Sequence, residues 1–268
     1  QAKLQQELGC EFELCDKESL LKKEPILEDV KNLQGGIFFP GDESGDAREF
    51  CYGLGKYLQK DMNVKFIFSE KILSVINFED NIKSLIGESG QEYKADQYIL
   101  AAGSYSGLFA NDLQIKIPVL PVKGYSATLE LPDKETIKHA ITDPLNRMVY
   151  SSAGGKLRVA GLADLVGFDQ SVTKERIEFF KNSFAEFFPV YENLIKKDQI
   201  WSGLRSLSMD SLPIIGGSVH YKNLYYNFAH STLGWTLAAG SAKLLIEILQ
   251  KRNHPGIYDM FLPERFGI

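Results

Sequence analysis

Residues 201–217 read WSGLRSLSMDSLPIIGG, and residues 221–250 read YKNLYYNFAHSTLGWTLAAGSAKLLIEILQ. The first stretch sets Arg205 among Gly203, Leu204 and Leu207, ahead of a strand-like LPIIG. The second predicts a strand over 223–229, a turn over 230–234, and a long apolar helix beyond it. A small-residue turn that opens a helix leaves the first amides of that helix without partners inside it. Such a junction suits an anion. An arginine in apolar surroundings also requires an anion, and its planar fork matches a carboxylate through two parallel hydrogen bonds. An internal ion pair would meet the same need.

Working upstream, residues 95–102 read as a buried strand of a parallel sheet ending in Gly103, where a missing Cβ lets a ligand approach the backbone. Residues 72–78 predict a strand, and 82–86 with 92–94 a hairpin around Glu88-Ser-Gly90. Further strands are expected over 37–39 and 64–68. A helix is expected from Asp46 to Asp61, with Asp46 as N-cap and Glu49 three residues on. The first 34 residues look helical around a short strand at 11–14. After Ile117 the texture changes to strands over 119–121, 125–131, 148–151 and 157–161, an antiparallel pattern. A helix over 173–188 carries Ile177, Phe180, Phe184, Phe187 and Phe188 on one stripe, which reads as core.

The 268 residues suffice for one large or two smaller domains. A hydrophobic share of 44% and a charged share of 24% are those of a soluble globular chain. The net charge of −5 argues against a nucleic-acid footprint. No apolar run reaches the roughly 18 residues of a membrane span. Three cysteines without a CxxC pair point to reduced thiols in a cytoplasmic setting, and the scattered histidines point to no metal.

The stretch 201–250 resembles the C-terminal part of the D-amino-acid oxidase superfamily of FAD enzymes, and within it bacterial D-amino-acid dehydrogenases. Those carry a GLRPxTPDGxPIIG-like segment followed by NLxxNxGHGTLGWTxAxGS. The likeness continues through GGIFFPGDESGD (35–46), AAGSYS (101–106), PVKGYS (121–126) and RVAGLADLVGF (158–168) in one collinear order. The resemblance implies an α/β fold: a partial FAD-binding Rossmann-like domain over 41–112 and 204–268, nested with a mainly antiparallel substrate domain over 1–40 and 113–203. It implies FAD as cofactor and oxidative deamination of D-amino acids to 2-oxo acids and ammonia. Electrons would pass to a quinone-type acceptor, with peripheral association at the inner face of the cytoplasmic membrane.

Residue by residue, the resemblance places the substrate carboxylate at Arg205. Tyr125 falls in the strand beside the substrate pocket, or is a core tyrosine satisfied elsewhere. His230 lies in the turn against the flavin ring, with a structural role as the alternative. Backbone at Thr232, Leu233, Gly234, Trp235 and Thr236 would face the ring's N1–C2=O edge, where a helix N-terminus stabilises negative charge. Ile72, Ala102, Gly103 and Ser104 would lie along the adenine, ribose and phosphate, with sheet packing as the bland alternative. Lys123 reads as solvated.

Departures from the pattern are specific. The proline after GLR is Ser206, PDG is Met209-Asp210-Ser211, and GHG is Ala229-His230-Ser231. Each Cβ added at the two lost glycines takes up space or resists a positive φ. Ser152 stands where an arginine is usual. The family's G-x-G-x-x-G does not occur, and Gly53-Leu-Gly55 reads as helix packing. From this, an N-terminal part of the family's chain is expected to be absent. An inactive fragment or subunit, served by a complementing N-terminal chain or assembled as a homo-oligomer, is the alternative to an active enzyme.

Overall fold

In a computed structural model, which describes residues 2–132, 137–252 and 256–268, the chain runs α1 (Ala2–Glu7), β1 (Glu13–Asp16), α2 (Lys17–Lys23), β2 (Gly35–Phe38), α3 (Ala47–Asp61), β3 (Ile72–Phe78), β4 (Asn81–Gly87), β5 (Glu92–Tyr93), β6 (Tyr98–Leu100) and α4 (Ser106–Asn111). It continues with β7 (Val119–Leu129), β8 (Ile141–Asp143), β9 (Met148–Ala153), β10 (Lys156–Asp164), α5 (Lys174–Phe187), β11 (Trp201–Ser208), β12 (Ile214–Gly217), β13 (Leu224–Phe228) and α6 (Gly234–Leu249). These elements form two compact units.

Unit one comprises Gln1–Lys56, Gly124–Asp164 and Gln170–Gly203. Its main sheet has the strand order β11-β7-β10-β9-β8, of which Val119–Lys123 of β7 and Leu204–Ser208 of β11 are counted with unit two. Period-two burial selects Leu157 and Val159 of β10 and Met148 and Tyr150 of β9 for the face that meets α5. The α5 stripe buries Ile177, Phe180 and Phe184 there, with Phe188 just beyond the helix. Thr173 caps α5 by accepting from the Arg176 amide at 3.3 Å. Gly154 and Gly155, at φ +58° and +76°, close the β9–β10 hairpin; two successive left-handed residues are what a two-residue turn of this hand demands. A smaller antiparallel pair joins β1 to β2.

Unit two comprises Tyr57–Lys123, Leu165–Asp169 and Leu204–Ile268. Its central sheet runs β12-β13-β6, with β13 antiparallel to β12 and parallel to β6. Ile214, Tyr226, Phe228 and Leu100 fill one core, and α6 lays Leu244 and Leu245 against Ile215. The β3-β4-β5 sheet is tied on by Asn223, whose side chain accepts from the Ile82 amide at 2.9 Å and donates to the Ile82 carbonyl at 2.8 Å. That amide mimics a missing strand partner.

The C-terminal turn is held by Arg265, which donates to Asp210 at 2.7 Å and to the carbonyls of Leu212 and Pro213 at 3.0 Å. The Arg265 bond holds the Asp210 carboxyl down at about 2, from its usual 3.8. A depressed carboxylate stabilises the fold fully above its unfolded pKa, and that support is lost as pH falls through the folded value. The melting-temperature gap between the parent and Asp210→Asn should therefore be full at pH 6, shrink from pH 4 downward, and close near pH 2. A gap independent of pH would refute the pairing.

Several sequence expectations change. Residues 64–68 are not a strand: left-handed Asn63 and Ser69 bracket them, and the Phe66 and Phe68 rings stack on each other at 5.9 Å. The segments 119–121 and 125–131 are one strand, β7, buried on both faces around Gly124, which period-two reading cannot distinguish from a break. Lys123 is 2% exposed and paired with Asp169 at 3.1 Å, not solvated. The strand at 95–102 shrinks to β6, and its middle residue Ile99 is 51% exposed. Arg205 precedes β12, as expected, and itself lies within a further strand, β11.

Candidate functional site

The parallel pair β6 and β13 decides the geometry of unit two. Its register sets Tyr98 beside Leu224 and Leu100 beside Tyr226, so both strands end at the same edge of the sheet. Ligands in such sheets bind outside the carboxyl ends of parallel strands. From β6 the chain leaves through Ala102, Gly103 and Ser104. From β13 it leaves through Ala229, His230 and Ser231 into α6.

On the β6 side, Ile72 and Ala102 line one cavity of about 850 Å³ together with Leu85, Tyr98, Tyr105 and Leu108. Gly103 follows at φ +56° with open space where a Cβ would stand. Ser104 is 5% exposed, and its Oγ has no hydrogen-bond partner among the described residues. A buried hydroxyl without a partner is costly to leave unmade.

On the β13 side, the turn is bound to β11. Leu207 bridges His230, and the Ser231 amide donates to the Ser206 carbonyl at 2.8 Å. Arg205, half-buried, sits on that same strand. Burial works against its charge, yet a guanidinium remains protonated, so an anion within reach is strongly favoured. His230 Nε2 meets Ser241 Oγ at 2.9 Å, and burial pushes the imidazole below its ordinary value, so it stays neutral. The N-cap of α6 is Leu233, which offers no side-chain acceptor, and the first turn holds no acidic residue. Thr232, Leu233, Trp235 and Thr236 are exposed around Gly234. The positive end of the helix is thus left for an external anion or electron-rich edge.

Tyr125 is placed differently. It is 2% exposed in the core of unit one, where its hydroxyl donates to Asp164 at 2.8 Å. Asp164 also receives Arg176 Nη2 at 2.5 Å. Arg176 is marked by neither spacing nor motif, and Asp164, though inside the RVAGLADLVGF segment, is not singled out there, since they meet Tyr125 only through the fold. The Lys123–Asp169 pair is silent in the sequence for the same reason.

The family model described as FAD dependent oxidoreductase matches residues 1–248. The chain belongs to that family. Among curated relatives of the chain, a D-amino acid dehydrogenase of Vibrio atlanticus (strain LGP32) is 36% identical over 249 residues, covering 92% of this chain and 59% of that protein. One of Methylobacterium sp. (strain 4-46) is 34% identical over 260 residues, covering 96% and 61%. The chain thus spans about three fifths of the length of these relatives. In fold it is similar to glycine oxidase from Geobacillus kaustophilus, with a TM-score of 0.85, 18% identity, and coverage of 97% of this chain and 68% of that one. It is likewise similar to L-proline dehydrogenase from P. horikoshii, with a TM-score of 0.86, 19% identity, and coverage of 99% and 71%.

The residues of the chain fit FAD at two places: the cavity beside Ile72 and Ala102, with its open Gly103 and its Ser104 hydroxyl without a partner among the described residues, and the uncapped α6 terminus. The turn from β13 into α6 takes left-handed backbone at two residues that are not glycine. Ala229 stands at φ +66° and Ser231 at φ +53°. Each left-handed non-glycine costs roughly 1 kcal/mol. Ser231→Gly should accordingly raise stability by about that amount. Ala229 is 1% exposed, and losing its buried methyl costs about 0.8 kcal/mol, so Ala229→Gly should be near neutral. Urea midpoints of the two variants check this ordering, and a destabilising Ser231→Gly would refute it.

Proposed function

We propose that this chain carries the substrate-binding arginine and part of the flavin cradle of an enzyme that oxidatively deaminates D-amino acids. One observation carries the reading: the half-buried Arg205 and the α6 N-terminal turn are locked into one frame by the Leu207–His230 bridge. The substrate class comes from the dehydrogenase relatives.

Arg205 holds the substrate carboxylate by a forked pair of hydrogen bonds, which fixes the orientation of the α-carbon. FAD, when bound, supplies the hydride acceptor. Gly103, Ser104, Ile72 and Ala102 would hold it on the β6 side, and Thr232 to Thr236 would offer it backbone amides at the start of α6. Neutral His230 contributes no charge of its own. It holds the turn to α6 through Ser241. Tyr125 enters as a positioning residue, anchoring β7 through Asp164. Loss of hydride from Cα, with a proton leaving the amine, yields an imino acid. Water converts that to a 2-oxo acid and ammonia. The electrons continue to a quinone-type acceptor at the membrane face. Contact with that face is proposed as peripheral; among the described residues no helix is long and apolar enough to cross a membrane.

A visible spectrum of the purified chain tests the reading, taken anaerobically before and after adding FAD and then excess D-alanine. A bound-flavin spectrum that bleaches with D-alanine supports it. A flavin that binds but does not bleach with any D-amino acid would sink the substrate assignment.

A second reading has its own observation. The 15-residue α3 buries none of its residues, and Tyr52, Leu54, Tyr57, Phe68, Leu73 and Phe78 are all exposed. Apolar surface of this extent calls for cover. In this reading the flavin site is completed by a further polypeptide segment or a second copy of the chain. A colourless chain that takes up FAD only when the family's dinucleotide-binding segment is supplied in trans would favour it.

A further inference from the structure

In unit two, β11 ends at Ser208 and β12 starts at Ile214, and the turn between them closes on itself. Asp210 Oδ1 accepts from the Leu212 amide and from Ser208 Oγ, each at 3.0 Å, and Ser208 Oγ also donates to the Leu212 carbonyl at 2.6 Å. Arg265 is laid across this turn. Its Nε donates to Asp210 Oδ2 at 2.7 Å, and its Nη2 donates to the carbonyls of Leu212 and Pro213, each at 3.0 Å. Its Nη1 donates to the Leu262 carbonyl at 2.9 Å, which ties the fork to its own segment. That segment sits directly on β12. At Gly216, φ +151°, an added Cβ would meet Pro263 Cδ at 2.6 Å.

Both ends of the clasped turn lead to the candidate site. At one end β11 carries Arg205, three residues before Ser208. The same strand receives the Ser231 amide on the Ser206 carbonyl at 2.8 Å and bridges His230 through Leu207. At the other end Ile214 of β12 pairs with Phe228, the last residue of β13 before Ala229 and His230. The turn therefore sets the offset between the strand that carries Arg205 and the strand that delivers the chain to α6. A planar guanidinium with acceptors on several of its N–H groups fixes such an offset in a way that a single point charge cannot.

We propose that Arg265 is a positioning residue for the anion site of unit two: by clasping the turn from Ser208 to Pro213, it holds Arg205 in register with the turn into α6. It acts through β11 and β12, not by contact with a ligand. The role rests on the reading of Arg205 as the group that holds the substrate carboxylate. A group that holds the carboxylate equally in the ground and transition states shows its misplacement in KM rather than in kcat.

Amide hydrogen exchange of the full chain, followed by NMR, gives a readout that needs neither flavin nor substrate. In Arg265→Gln the Ser231 amide should exchange about tenfold faster. The Tyr98 amide, bonded to the Asn223 carbonyl at 2.8 Å in the same unit, should stay within about twofold of the parent. Ile82→Ala, which opens the core of that unit away from the clasp, should instead speed both amides by a common factor. In the FAD-loaded protein, KM for D-alanine should rise roughly fivefold in Arg265→Gln with kcat within about twofold, and Ile82→Ala should leave both constants unchanged. Arg265→Lys keeps the charge without the fork. It should show the same selective pattern at smaller amplitude, and it decides the matter if Arg265→Gln does not fold. Equal acceleration of the two amides, an unchanged Ser231 amide, or an unchanged KM in a folded Arg265 variant would each overturn the role. A parent protein that oxidises no D-amino acid would overturn the proposed function instead, and the two amides would then decide the role of Arg265 alone.

Discussion

Arg205→Met should abolish useful turnover of D-amino acids while leaving the chain folded. Met fills similar volume on a half-buried strand, so the sheet retains its packing. What is lost is the charge proposed to hold the substrate carboxylate. Removing one partner of a desolvated charge pair costs about 3 kcal/mol or more, and kcat/KM should fall by roughly two to three orders of magnitude. Arg205→Lys should fall between the parent and Met, because a point charge cannot reproduce the fork. The measurement is anaerobic dye reduction by the FAD-loaded protein with D-alanine, with the flavin spectrum and melting curve as controls. An Arg205→Met protein that binds FAD and keeps kcat/KM within about threefold of the parent would refute the role, because so small a change is under 1 kcal/mol.

The largest stability loss is expected from Phe184→Ala in unit one. Phe184 is fully buried, 6.4 Å from the Tyr150 ring and 5.8 Å from the Phe188 ring. Truncating a buried phenylalanine costs about 3–5 kcal/mol through lost transfer energy and the cavity left behind. That is a large share of the roughly 5–15 kcal/mol that holds a domain together. Phe179→Ala, five residues earlier on the same helix but 48% exposed, should cost within about 0.5 kcal/mol. Urea unfolding followed by far-UV circular dichroism compares the two. With two compact units, the transition that belongs to unit one should move in Phe184→Ala. Equal midpoints for the two variants would mean the aromatic stripe is not the core of this unit.

Legibility in the sequence followed the range of the interaction. Asp46 as cap of α3, the β4–β5 hairpin and the α5 stripe were readable because each is set by residues a few positions apart. The strand–turn–helix over 201–249 was readable for the same reason, together with its family likeness. The extents of β6 and β7 were not. A strand buried on both faces, as β7 is, loses the alternation that marks its ends, and a strand exposed at its centre, as β6 is, lacks the continuous apolar run.

At the candidate site the division runs along the same line. The sequence by itself determined the family, the apolar setting of Arg205, the small-residue turn into α6, and the Gly103 strand end, because these are local patterns of residue type. Only the tertiary structure decided that β6 and β13 end at one edge, that Leu207 bridges His230, that Lys123 is buried against Asp169, and that Tyr125 is held by Asp164. It alone revealed that Arg265 clasps the turn after β11. Such pairings join residues from 23 to well over 100 positions apart. They are selected by the burial of a shared core and by the need to satisfy polar groups inside it, and neither leaves a periodic trace along the chain.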